Sequence, residues 1–135
     1  MREGVCIIVY KDNPLQFLAI ETSRTGIHSF VAGGIEKGES AIDAVKQELK
    51  EEVGLVPINI KDTGLDFTFD YKNAWFAKKG HQKVFLVKVA NDAQVVLDKE
   101  VKAYRWLDKE GILEYIDNPV LKDIFKKTYA KFFGG

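Results

Sequence analysis

The sequence predicts an α/β (α+β) fold, a mixed β-sheet with helices packed on its faces. Three observations lead there. Runs of β-branched and apolar residues recur from the N-terminal end to Leu107, helical periodicity interrupts them after Ser40 and takes over after Asp108, and the alternation is too irregular for a regular βαβ wind. The 135 residues, 46% apolar and 30% charged, suffice for one hydrophobic core and are too few for two, so 1–135 is read as a single domain.

The elements follow in order. "GVCIIVY" (4–10) and "LQFLAIE" (15–21) are strands joined by a tight turn at Lys-Asp-Asn-Pro. "HSFVAG" (28–33) is a short strand running into a glycine loop. From Ser40 the period becomes helical, with Ser40 as the cap of a first turn that contains Asp43 and Gly54 as a left-handed stop. "INIKDTGLDFTFDY" (58–71) and "QKVFLVKVA" (82–90) are strands around a loop carrying Trp75 and Phe76, and "AQVVL" (93–97) and "KAYRWL" (102–107) are two more. Trp106 is expected in the core. Asp108 is the N-cap of one C-terminal helix, and Asn118-Pro119 is the cap and first-turn pair of the next.

Twenty basic residues balance twenty acidic ones, so no overall field favours nucleic acid or an anionic membrane, and an anionic ligand needs a local site. Avid nucleic-acid binding is not expected. The lone Cys6 lies in an apolar strand and fits a reducing, cytoplasmic setting. No apolar run reaches the ~18 residues of a membrane span, and "MREGVC" is no secretory signal.

The chemistry-bearing feature is the helix after Ser40. Glu48, Glu51 and Glu52 fall within an arc of roughly 100° beside the apolar stripe Ile42, Val45, Leu49 and Val53. Ala41 and Ala44, on the glutamate side, would leave space above the helix. Glu48 and Glu52 repel at a four-residue spacing, by about 0.2–0.5 kcal/mol in an isolated helix, and acids near a helix C-terminus oppose the macrodipole. A hard divalent cation such as Mg²⁺ or Mn²⁺ would reverse both penalties. Taken alone, "KQELKEE" reads equally well as a solvated surface.

Spacing weighs against that plain alternative. Gly33, five residues, Glu39, seven residues and then "QELKEEVGL" resembles the signature of the Nudix hydrolases, with Gly33, Glu39, Glu48, Leu49, Glu51, Glu52, Gly54 and Leu55 all in place. Gln47 alone departs, standing where the family has arginine. The resemblance implies the Nudix fold, a mixed sheet sandwiched between helices (α/β/α), whose loop-helix-loop binds divalent metal and a diphosphate. It implies Glu48, Glu51 and Glu52 as metal ligands and catalytic residues, with the Gly33 carbonyl joining them, and Glu39 and Gln47 as motif support. Gly33-Gly34 also permits the close backbone approach that phosphate demands. Glutamine hydrogen-bonds without charge, so either activity is weakened, leaving a nucleotide-binding module, or a nearby cation restores the support.

"EVKAYRWLDKEG", from Glu100, resembles a segment shared by Nudix enzymes that cleave dATP or dihydroneopterin triphosphate and by those that cleave diadenosine tetraphosphate. The resemblance makes Glu100 a further metal ligand or base; beside Asp98 and Lys99 it also reads as a solvated loop acid. The expected reaction is metal-assisted hydrolysis of a nucleoside diphosphate linked to X, with Glu48 or Glu100 as base. "REGVCIIVY" and "FVAGGIEKGES" rank the dATP type first and the dinucleoside polyphosphate type second. The partner is therefore a small nucleotide polyphosphate, and a homodimer is an open possibility. Candidate substrate contacts are Arg24 and His28 for phosphate, Gly34 in the glycine loop, and Tyr71, Trp75, Lys78 and Lys79, with Phe76 and His81, for base and phosphates.

Overall fold

The computed structural model describes residues 2–71 and 78–134. Among them, seven strands make one mixed sheet: β1 (Arg2–Lys11), β2 (Gln16–Thr22), β3 (His28–Ser29), β4 (Val31–Gly34), β5 (Asn59–Tyr71), β6 (Lys78–Lys88) and β7 (Val101–Leu107). Three helices accompany it: α1 (Ala41–Glu48), α2 (Lys109–Tyr115) and α3 (Pro119–Phe133). β1 is central. It runs parallel to β6 from Arg2↔Gly80 to Tyr10↔Lys88, and antiparallel to β4 from Gly4↔Gly34 to Ile7↔Val31. Past β4 it meets β2 at Tyr10↔Phe17, while β2 carries β7 and β6 carries β5.

A strand covered on both faces must be apolar on both, which is why "VCIIV" shows no alternation. Val5, Ile7 and Val9 pack with Ala44, Val45, Leu49 and Val53 on the α1 side. Cys6 and Ile8 pack with Ile112, Ile116, Ile124 and Phe125 on the side of α2 and α3. The expected sandwich of a mixed sheet between helices is present. Burial pushes the Cys6 thiol up to about 12. Trp106 packs against the α1-side core, as expected.

The expected caps are present. The Ser40 hydroxyl accepts from the Asp43 N–H at 3.1 Å, Asp108 caps Gly111, and Asn118 caps Val120 with Pro119 at the first helical position. Three expectations change. The glycine pair lies within strand β4, not in a loop after it. Ala44, only 1% exposed, belongs to the core and Ala41 packs against it, whereas Ile42 is 37% exposed, so the small residues seat the helix on the sheet and leave no open space. Residues 93–97 form no strand: Val96 N–H reaches Val53 O at 2.9 Å, and just past the segment Asp98 N–H reaches Glu52 O at 3.0 Å, so the chain is tied to a helix end. Alternation survives there because Val95 and Leu97 pack inward while Val96 points out.

Candidate active site

The segment after α1 does not remain α-helical. Leu49–Val53 is a π-turn, closed by Gly54 N–H and Leu55 N–H on the Leu49 carbonyl, and Gly54 ends it at φ 65°. Such widened turns concentrate at functional sites. Here the turn buries Leu49 and Val53 together and leaves Glu52 half-buried against Glu48. Burial raises the Glu52 carboxyl to about 9, helped by a hydrogen bond with Glu48 and by the charges of Glu48, Glu100 and Asp98. The Glu48 and Glu52 carboxyl groups thus meet at hydrogen-bond range, with the charges of Glu100 and Asp98 close enough to be felt.

Strand β4 supplies the floor. A Cβ built on Gly33 would lie 2.5 Å from Glu48 Cγ, so the Glu48 side chain occupies the room that the glycine leaves. At Gly34 a Cβ would lie 2.7 Å from a guanidinium nitrogen of Arg2. Side chains alternate along a strand, so the two glycines open opposite faces. One opening admits the acidic pair. The other leads to a cleft of about 260 Å³ lined by Arg2, Gly4, Gly34, Phe69, His81 and Gln82, among others. The Phe69 ring fills the space where Gly80 has no side chain.

The remaining candidates are placed as follows. Glu51 is exposed and accepts from Gln47 Nε2 at 2.9 Å, away from the Glu48–Glu52 hydrogen bond. Glu39 Oε1 accepts from the Glu36 N–H at 2.9 Å and so pins the loop ahead of α1. The Glu100 turn is tied to the exposed turn containing Arg24, since Ser23 N–H donates to Glu100 O and Ser23 Oγ to Lys99 O. His28 sits elsewhere: its ring stacks on Tyr115 at 3.8 Å, with Nδ1 2.9 Å from Tyr115 O and Nε2 3.6 Å from Glu21. Trp75 and Phe76 lie outside the described residues, and the side chains of Tyr71, Lys78 and Lys79, at the ends of β5 and β6, lie outside them too. Sequence reasoning missed Arg2, Phe69 and Gln82, which meet only through strand pairing, and treated Asp98 only as a neighbour of Glu100.

Among the described residues no group of three or more His, Cys, Asp or Glu side chains is already arranged to hold a metal ion. What the fold prearranges is a carboxylate pair on the Gly33 cradle, with Asp98 and Glu100 near it. That hard-oxygen donor set fits a divalent cation.

The whole motif has a counterpart outside this chain: residues 1–128 match the family described as NUDIX domain. The chain belongs to this family. As a Nudix hydrolase it acts on phosphoric anhydride bonds in a nucleotide-like substrate, and Nudix hydrolases generally need divalent metal ions. An RNA pyrophosphohydrolase of a Nitratiruptor species is 32% identical over 145 residues, covering 93% of this chain and 94% of that protein. Among solved structures, a C. elegans Ap4A hydrolase binary complex superposes with TM-score 0.84 at 20% identity over 100% of both chains. The E. coli dihydroneopterin triphosphate pyrophosphohydrolase gives TM-score 0.80 at 19% identity, over 93% of this chain and 92% of that one. At these identities the structural likeness is one of fold. Among the described residues no helix is long and apolar enough to cross a membrane.

Proposed function

We propose that the protein is a Mg²⁺- or Mn²⁺-dependent pyrophosphohydrolase of a (deoxy)nucleoside triphosphate, of the dATP type. One observation carries this reading: the acidic pair and the cleft open on neighbouring residues, Gly33 and Gly34, from opposite faces of one strand. A polyphosphate crossing the glycines would place its base in the cleft and its anhydride bond at the acids. The cleft's size suits a single base, with Phe69 as a flat face and Arg2 and Gln82 as polar edges.

In this reading Glu48, Glu52 and the Gly33 carbonyl would hold the cation, with Glu51, now held by Gln47, and Glu100 as the further acids available to it. A divalent cation bound there would supply charge neutralisation at phosphate oxygens and a more acidic water. Glu48 or Glu100 takes the proton of the attacking water. Gly34, Arg2 and Arg24 steady the phosphates, and water attacks phosphorus in line at the α–β anhydride, which breaks to give nucleoside monophosphate and pyrophosphate. Glu39 and Gln47 hold the loop and Glu51 in place. The buried single cysteine fits a cytoplasmic setting.

A second reading, hydrolysis at the 5′-triphosphate end of RNA, is favoured by the relatives named RNA pyrophosphohydrolase. Turnover of dATP, dihydroneopterin triphosphate, diadenosine tetraphosphate and a 5′-triphosphorylated RNA under Mg²⁺, resolved by mass spectrometry, separates the readings. Preference for a free triphosphate is expected. Preference for the RNA replaces the first reading by the second, and binding without turnover of any of the four makes the chain a nucleotide-binding module.

A further inference from the structure

A second tight cluster of titratable groups is centred on His81 in β6. Its Nδ1 lies 2.7 Å from Glu3 Oε1 on β1, and its Nε2 lies 2.8 Å from Asp66 Oδ2 on β5. An imidazole donates from both nitrogens only as the imidazolium. With a carboxylate against each nitrogen, the ring bridges three neighbouring strands and donates to both acids when it is charged, with His81 in register with Glu3 on one side and Thr68 on the other.

The same three strands, together with β4, build the cleft, and Glu3 and His81 themselves line it. Arg2 and Gly4 come from β1, Gln82 from β6 and Phe69 from β5, each within three residues of a member of the cluster. Glu3 does more, because its carbonyl accepts the Ile35 N–H at 2.9 Å and so anchors the chain just past the glycine pair. With both nitrogens engaged, His81 has no N–H left for a phosphate. Its contribution is to geometry.

We propose that His81 is a positioning residue for nucleotide binding, whose imidazolium holds β1 and β5 at the spacing the Arg2–Phe69 cleft requires. This rests on the reading of that cleft as the nucleotide subsite. The charged groups acting on the ring are Glu3 from β1 and Asp66 from β5, and Lys83 on β6 itself stands in register with Asp66. Both acids favour the charged ring and hold its pKa above the usual histidine value. On deprotonation one nitrogen becomes a lone pair facing a carboxylate, and the tie to β1 or to β5 is lost. The bond-breaking acids Glu48 and Glu52 are not among the groups that hold the ring, so binding weakens while the chemical step persists.

The test compares wild type with His81→Gln on dATP and Mg²⁺ from about pH 6 to pH 9, a range that spans histidine titration. Measured as a ratio to His81→Gln, wild-type KM rises about three- to ten-fold across the His81 titration while the kcat ratio stays constant, the size expected for one lost charge-assisted hydrogen bond screened by solvent. His81→Gln starts from the raised KM and shows no such step. In parallel, NMR follows the Phe69 ring and the Gln82 amide, whose signals move with the His81 titration in wild type and not in the variant. A KM independent of His81, or cleft signals flat across its titration, overturns the proposal. Cleft signals that follow His81 in a protein that turns over nothing sustain the brace and sink the activity reading.

Discussion

At Gly33 the absent side chain is replaced by another residue's carboxylate, and this is where a single methyl group matters most. Gly33→Ala drives the new Cβ into the Glu48 side chain, whose flexible end swings aside while the strand pairing with Val5 persists. Displacement of a reacting group by about 1 Å costs on the order of 10²-fold. The expected loss in kcat/KM is of that size with little change in Tm, read by steady-state kinetics and calorimetry. Glu52→Gln separates function from stability in the opposite sense. It removes a half-buried acid that the folded site forces to keep its proton above its ordinary range, so the metal-free variant unfolds at equal or higher temperature at neutral pH, with a gain of up to about 1 kcal/mol, while turnover falls. A Glu52→Gln protein that keeps full activity removes Glu52 from the site.

The elements show how local the decisive forces are. Ser40, Asp108 and Asn118 satisfy the first turns of their helices, and these starts were legible because a cap is a contact between residues two or three apart in sequence. The π-turn was not legible, since the pattern Leu49, Val53 suits an α-helix equally and the distinction is made by Leu55 and Gly54 both bonding the Leu49 carbonyl. Residues 93–97 escaped for a related reason: their partner is a helix end, and alternation alone cannot tell it from a strand. Gly54 joins the two segments. At φ 65° a side chain is strained, and a Cβ would meet Val96 Cβ at 3.0 Å and Val96 O at 3.3 Å. Gly54→Ala is expected to cost about 1–3 kcal/mol in urea unfolding. An unchanged midpoint would show that the 93–97 segment yields freely.

Across the whole molecule, the glutamates and the glycines were recognisable from a spacing of 23 residues, Gly33 to Leu55. The cleft was not, because its walls meet only when β1 lies parallel to β6 in one register, Arg2 beside Gly80, a fact held by the entire sheet. The same long-range pairing makes stability depend on pH through His81. Its folded pKa is raised, so its stabilisation is complete below the unfolded value of about 6.5 and is lost as pH rises through the folded one. Wild type should therefore lose more Tm than His81→Gln between neutral and mildly alkaline pH, and parallel losses would exclude the contribution. Cys6, sealed between the sheet and the helices, offers a built-in gauge of the same fold. With the thiol pushed to about 12 and enclosed, an alkylating reagent can reach it only when the layers part, so the rate of its modification counts global openings without any added label.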